Sequence, residues 1–155
     1  MDSKQFKASM GCFPTGITII STTYEKQLFG FTANSFTSVS LSPPLILFCL
    51  NKSAGSIDAF KKSTVFAISV LSIEQVEISK HFSTSRPNKF QNVKYQTGNL
   101  SNCPLITDAI CWFECTKYQE YEGGDHLIFV GEVQSATINN NHKPLVYFAR
   151  NYLSF

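Results

Sequence analysis

The sequence predicts a mainly β fold, an antiparallel barrel or sandwich with short helices set between strands. Three observations carry this. Runs of β-branched and aromatic residues recur along the chain, bounded by Pro, Gly and Asn turns. The helical stretches between them are too few and too irregularly placed for repeated βαβ units. No strand runs into a glycine-rich phosphate loop, so neither a dinucleotide-binding βαβ unit nor a P-loop is present.

The elements follow in order. Residues 2–12 read as a helix capped by Asp2 or Ser3, with Phe6 and Met10 on one face, and Pro14-Thr15-Gly16 ends it. Residues 17–23 are β-branched almost throughout and read as a strand; 25–27 form a turn. A second strand covers 28–38, with its alternation broken near Asn34-Ser35, where a bulge would re-aim side chains. Pro43-Pro44 opens a third strand, to Leu50, and Ser53 is placed to cap a helix through Lys61. Residues 64–71 are a strand, and 73–82 a helix behind an N-cap at Ser72. Mixed polarity over 83–96 predicts an irregular loop or lid. Residues 109–120 alternate Cys111, Phe113 and Cys115 against Trp112, Glu114 and Thr116, and 126–137 is the return strand of a hairpin turning at 121–125. A last short strand falls within 144–150. Residues 1–155 are expected to form one domain.

Composition narrows the function classes. Charged residues make up only 15% of the chain and aromatics 14%, which supplies ample apolar surface for a core. Fourteen Phe in so small a protein predict a homo-oligomer with an apolar interface. The net charge is +2 and Arg occurs only at Arg86 and Arg150, so no basic patch for nucleic acid is present. The five cysteines are odd in number, and Cys111 and Cys115 lack a second ligand pair for zinc. They read as free thiols in a reducing cytoplasm. No signal peptide is visible, and the longest apolar run, 45–50, is far too short to span a bilayer, so no membrane association is expected.

The chemistry concentrates in residues 30–40, Gly-Phe-Thr-Ala-Asn-Ser-Phe-Thr-Ser-Val-Ser. A core strand has no use for so many small polar groups in a row. A solvated edge strand would tolerate them; a site for a phosphate and a large polar ring needs them as neutral donors on a firm scaffold. Asn51-Lys52-Ser53-Ala54-Gly55-Ser56 links an apolar strand to a helix start, where a phosphate could meet N–H groups and the Lys52 charge, or Ser53 could simply cap. Gly123-Gly124-Asp125-His126 is a hairpin turn by default, and His126 either packs or presents a donor to a ring amide.

The chain resembles the flavin reductase family, the small reductase partners of two-component flavin-dependent monooxygenases. The resemblance rests on Phe13-Pro14-Thr15-Gly16-Ile17-Thr18-Ile19, residues 30–40, Pro43-Pro44-Leu45-Ile46-Leu47-Phe48-Cys49-Leu50, Gly124-Asp125-His126 continuing to Gly131-Glu132-Val133, and Pro144-Leu145-Val146-Tyr147-Phe148. Asn-Ser-Phe-Thr-Ser-Val-Ser and Gly-Asp-His…Gly-Glu-Val, about ninety residues apart, are specific only together.

The resemblance implies an FMN-binding split barrel, six-stranded, antiparallel and Greek-key, forming a homodimer. It implies FMN or FAD as flavin and NADH or NADPH as hydride donor, with reduced flavin passing to an oxygenase partner. It places flavin contacts at Thr32, Ala33, Asn34, Ser35, Ser38 and Ser40, at Cys49, Leu50, Asn51, Lys52 and Ser56, and in a closing loop at Phe82, Lys89 and Phe90. Nicotinamide contacts fall at His126, Tyr147, Arg150 and Tyr152. No nucleophile, triad or metal set is expected, because the cofactors carry the reactivity. Where the family often has Arg-Gly near the end, this chain has Arg150-Asn151, which puts the nicotinamide site in question more than the flavin site. A flavin carrier without turnover shares every flavin feature. Pyridoxamine-phosphate oxidation on the same barrel would need more cationic phosphate ligands than two Arg, and an oligonucleotide-binding barrel would need a basic groove.

Overall fold

The computed structural model describes residues 1–153; the expected domain's Ser154 and Phe155 lie outside the described residues. The elements are α1 (Ser3–Met10), β1 (Thr15–Gly16), β2 (Thr18–Tyr24), β3 (Gln27–Ala33), β4 (Thr37–Leu41), β5 (Pro44–Asn51), α2 (Ile57–Lys62), β6 (Val65–Val70), a 3₁₀ turn (Ile73–Gln75), α3 (Val76–Phe82), β7 (Tyr95–Thr97), β8 (Pro104–Ile106), β9 (Cys111–Gly123), β10 (His126–Ile138), β11 (Val146–Phe148) and β12 (Asn151–Leu153).

Seven strands form one antiparallel sheet in the order β3-β2-β6-β9-β10-β5-β4. Its two edge strands, β3 and β4, are consecutive in the chain and joined only by Asn34, Ser35 and Phe36. So short a link cannot span an open seven-stranded sheet, whose edges would lie roughly 29 Å apart at about 4.8 Å per strand step. The sheet must therefore roll until its edges meet at residues 34–36, which makes it a split barrel with its seam at the polar stretch. The expected six strands become seven for the same reason. The run 28–38 does not continue as one strand but breaks at Asn34–Phe36 and changes edge.

The barrel interior is lined from five strands and α2 by Ile20, Phe48, Phe60, Phe66, Ile68, Cys115 and Phe129. Phe48 is its centre, with ring centroids 5.0 Å from Phe66, 5.2 Å from Phe129, 5.7 Å from Phe60 and 5.9 Å from Phe31. Gly131 sits at a β-bulge where an added Cβ would fall 2.2 Å from Phe66 Cζ, so no side chain fits there. A second core, outside the barrel wall, joins Ile17, Ile19, Leu71, Phe82, Phe90 and Leu145 beneath α3 and the loop after it. Because both faces of β2 are covered, Thr18, Ser21 and Thr22 are buried and hydrogen-bond the carbonyls of Ala33, Pro104 and Val65.

Several local expectations change. Asp2 is the N-cap of α1, its Oδ1 accepting from Lys4 N at 3.1 Å. Ser53 does not cap a helix: Asn51 Oδ1 accepts from both Ser53 N and Ser53 Oγ, so the chain turns first and α2 starts at Ile57. The loop expected over 83–96 yields β7 at its end, paired with β8, a strand the sequence hides because three residues carry no period. The last strand is a hairpin, β11 against β12, pairing with β1.

Candidate functional site

The barrel seam gathers the polar stretch and three neighbouring elements. Ser35 Oγ accepts from Cys49 N at 3.0 Å and reaches Cys49 O at 3.3 Å, tying the 34–36 link to β5. In β5, Phe48 and Leu50 turn into the barrel while Cys49 and Asn51 face out. Asn51 pairs with His126 across the β5–β10 ladder. The turn after β5 is clamped to the β9–β10 hairpin: Lys52 N donates to Asp125 O at 2.9 Å, and Lys52 Nζ to Gly124 O at 2.6 Å and to Glu122. His126 Nδ1 lies 2.7 Å from Asp125 Oδ1, which fixes the ring and turns Nε2 away from the carboxylate. The His126 ring in turn holds the Asp125 carboxyl below its ordinary value, by hydrogen bond first and charge second.

On the other side of Asn34, a cleft of about 230 Å³ opens between α1 and the C-terminal hairpin, lined by Lys7, Met10, Gly11, Phe13, Asn34, Tyr147, Phe148, Ala149 and Arg150. Asn34 thus belongs to the seam and to the cleft at once.

Hydrogen bonding sorts the expected residues into committed and available. Thr32 Oγ1 donates to Ser79 O at 2.5 Å, and Ser35 and Asn51 are used as above. Lys89 Nζ donates to Phe82 O at 2.8 Å and Gly30 O at 3.2 Å, closing α3's C-terminus onto β3, and burial holds its ammonium below the usual lysine value. Tyr152 Oη is 2.9 Å from Ser79 Oγ, which anchors the hairpin to α3. By contrast the side chains of Asn34, Ser38, Ser40, Ser56 and Arg150 make no hydrogen bond among the described residues.

A model of the flavin reductase like domain matches residues 10–155. The chain belongs to this family. An NADH-dependent FAD reductase of Streptomyces globisporus is 44% identical over 140 residues, 88% of this chain and 76% of that protein. HsaB, the reductase subunit of a flavin-dependent monooxygenase of Mycobacterium tuberculosis, is 33% identical over 154 residues, 98% of this chain and 82% of that protein. The solved structure of the S. globisporus NADH:FAD oxidoreductase SgcE6 with NAD and FAD fragments superposes with a TM-score of 0.95 at 38% identity, covering 99% of this chain and 93% of that one.

Within this flavin reductase family member, three residues expected to contact the flavin have buried side chains: Leu50 (3% exposed), Phe82 (0%) and Phe90 (7%) belong to the core. The resemblance places Phe82 and Phe90 in a closing loop, and their buried rings anchor that loop to the core. Their rings fill the space left by Gly30, where a Cβ would meet Phe90 Cζ at 2.9 Å. Ala33 is buried too and serves through its backbone, accepting from Thr18. Cys49 faces out, but burial pushes its thiol above the ordinary value, opposed by the Ser35 hydroxyl, so it is no thiolate nucleophile. Cys115 is pushed up to about 12 by burial first. No group of three or more His, Cys, Asp or Glu able to hold a metal occurs among the described residues.

Sequence reasoning missed Lys7, which lines the cleft from a segment with no motif, Phe13, which lines it from the first residue of a matching motif, and Glu114. Alternation sets Glu114 with Trp112 and Thr116, opposite Cys111, Phe113 and Cys115, and does not mark it as buried. It is buried, its Oε2 accepting from Ser101 N at 2.7 Å, Ser101 Oγ at 2.8 Å and Leu100 N at 2.9 Å.

Proposed function

We propose that the chain is an NAD(P)H-dependent flavin reductase in which the seam binds FMN or FAD and the adjoining cleft binds the nicotinamide donor. The observation that carries this is Asn34. It stands at the junction of the two regions, as a residue must where a flavin ring and a nicotinamide ring meet face to face. The residues present fit a flavin: exposed Ser38, partly exposed Ser40 and Ser56, and the turn at Lys52 offer hydroxyl and cationic donors for a phosphate. The Asn34 amide offers both a donor and an acceptor to a ring edge.

When bound, the cofactors supply the chemistry, a hydride passing from nicotinamide to flavin. The protein's part is to hold the rings at near-attack distance and keep water away. Asn34 orients the flavin edge; His126, fixed by Asp125, presents Nε2; Tyr147 forms the cleft wall, and Tyr152 holds the hairpin that carries Tyr147 and Arg150. Relatives named as reductase subunits of monooxygenases support an oxygenase as the acceptor of reduced flavin. A cytoplasmic location fits the five unpaired cysteines. No helix among the described residues is long and apolar enough to cross a membrane.

The test is a spectrum of the purified protein with FMN and FAD, then anaerobic NADH and NADPH. Bleaching of the flavin band by a nucleotide is expected; binding without bleaching would favour a flavin carrier. Asn34→Leu is expected to raise the flavin dissociation constant about tenfold, or 1.4 kcal/mol. An unchanged constant removes Asn34 from the site. His126→Ala is expected to slow NAD(P)H oxidation at least about tenfold while flavin affinity holds. Equal loss of both would make His126 structural.

A second copy of the chain is proposed to cover the β4 edge, where Leu41 is 94% exposed and Val39 49% exposed on an edge strand. Leu41→Glu is expected to shift sedimentation from dimer toward monomer; a wild-type monomer at micromolar concentration ends this proposal.

A further inference from the structure

We infer that a cavity on the outer face of the β9–β10 wall, with Glu114 in its lining, binds a small organic cation bearing several N–H donors, an alkylammonium or alkylguanidinium. The cavity shares no lining residue with the cleft beside α1 and none with the seam. Ser135 on its wall stands nine residues along β10 from His126, about 30 Å at about 3.3 Å per residue. Binding there is independent of the reductase chemistry.

The charge comes first. Glu114 is 7% exposed and makes no ion pair among the described residues. The cavity it lines, of about 390 Å³, has no other charged residue in its wall. Ser101 N, Ser101 Oγ and Leu100 N all donate to Oε2, and Oε1 accepts no hydrogen bond among the described residues. A carboxylate has about four lone-pair sites, so Oε1 keeps its capacity for a group inside the cavity. The backbone and hydroxyl donors hold the carboxyl below its ordinary value against burial, so the group is an anion at neutral pH. An anion so nearly buried with only neutral partners attracts a cation far more strongly than a surface carboxylate does.

The cavity is also built around that anion. Gly98 N donates to Cys103 O at 2.9 Å and Asn102 N to Gly98 O at 3.1 Å, closing a tight turn over the carboxylate. Gly98 is required there, because a Cβ would fall 2.3 Å from Glu114 Oε2 and 2.8 Å from Ser101 Oγ. On the other side β10 carries a bulge between Val133 and Ser135. It skips Gln134, whose Nε2 is drawn to Thr116 Oγ1 at 3.1 Å, and sets the smaller Ser135 opposite Glu114. A bulge re-aims side chains, and this one leaves open the space that a glutamine would fill.

The remaining wall defines the ligand class. The side chains of Gln96, Thr97, Asn99, Ser135 and Thr137 line the cavity, and none makes a hydrogen bond among the described residues. Each carries an acceptor oxygen, which suits a cation with several N–H groups. Leu105, buried, and Leu100, 60% exposed, add an aliphatic wall for an alkyl stem. A divalent metal would need about six or more oxygens, commonly from several carboxylates, and Glu114 is the one carboxylate in the wall. The volume lies at the small end of the range for organic ligands, roughly 300 to 1,000 Å³.

The test is an amide NMR titration of the full chain at fixed ionic strength with butylguanidinium and butylammonium chlorides. Both are expected to shift the Leu100, Ser101, Ser135 and Thr137 amides saturably. Butylurea, the uncharged analogue of butylguanidinium, and tetramethylammonium, a cation without N–H, should bind at least about tenfold more weakly. Glu114→Gln keeps an acceptor oxygen for the Leu100 and Ser101 donors and removes the charge. It should weaken both organic cations at least about tenfold while flavin affinity holds. Ser135→Leu, which fills the cavity from its wall without touching the carboxylate, should do the same and decides the matter if Glu114→Gln fails to fold. The site is overturned by the absence of saturable shifts in the wild type, by butylurea binding as tightly as butylguanidinium, or by unaltered binding in either folded variant. Shifts of the same amides by calcium chloride in preference to both organic cations would give Glu114 to a metal and overturn it too.

Discussion

Phe48→Ala is expected to destabilise the fold by about 4 kcal/mol, near the upper end for large-to-small core substitutions. The ring is fully buried and stands within aromatic packing distance of Phe31, Phe60, Phe66 and Phe129. Four rigid neighbours from β3, α2, β6 and β10 cannot all move inward, so most of the ring's volume remains as a cavity. Urea unfolding at neutral pH measures the change, with an unaltered slope showing that only stability moved. A loss below about 2 kcal/mol would mean the barrel collapses around the gap, and the packing described for it would be too rigid. Because Phe48 lies on the same strand as Cys49 and Asn51, the variant should also loosen flavin binding without touching any ligand group.

Glu114→Ala comes next, at about 3 kcal/mol. The substitution leaves Ser101 N, Ser101 Oγ and Leu100 N, three donors now aimed at one carboxylate oxygen, without an acceptor. Burial alone would raise the Glu114 pKa, but the donors from Ser101, Leu100 and Asn99 outweigh it together and hold the carboxyl below its ordinary value. The sign follows. A depressed carboxylate contributes stability that is fully present above its unfolded pKa, about 4.3, and is lost as pH falls through the folded value. The difference between wild type and variant should therefore shrink on acidification below pH of about 4. A difference that stays constant from neutral to acid would show that Glu114 acts by packing and not by charge. Gly98 belongs to the same arrangement, since a Cβ there would lie 2.3 Å from Glu114 Oε2.

Much of this architecture is legible in residue order. The β-branched run at 17–23, the apolar run at 45–50 and the hairpin return at 126–137 each carry a strong local signal, and each became a strand within a residue or two. The break at Asn34-Ser35 is also visible, because Phe36 falls out of phase. Its consequence is not. Alternation says that a strand is interrupted, but not that the chain leaves one edge of a sheet and joins the other, which depends on the order of all seven strands.

The candidate site divides the same way. Hydroxyls and amides crowded into 32–40 announce a binding surface by composition. Whether a given hydroxyl is available depends on what folds against it: Ser38 and Ser40 stay open, while Thr32 is taken by Ser79 and Ser35 by Cys49. Phe82 and Phe90 look like a lid in sequence and are core in space, because the vacancy they fill is made by Gly30, more than fifty residues away.

The sequence alone determined the strand-rich class, the polar seam, the hairpin bearing His126 and the family to which they belong. These reside in local period and in motifs a few residues long. Only the tertiary structure decided that the barrel closes at Asn34, that Glu114 is buried, and that Lys7 and Arg150 line one cleft. Those facts depend on contacts between residues from about 14 to more than 130 positions apart. Such contacts leave no periodic trace in a single chain, since the free energy that selects them is shared across the whole packed molecule.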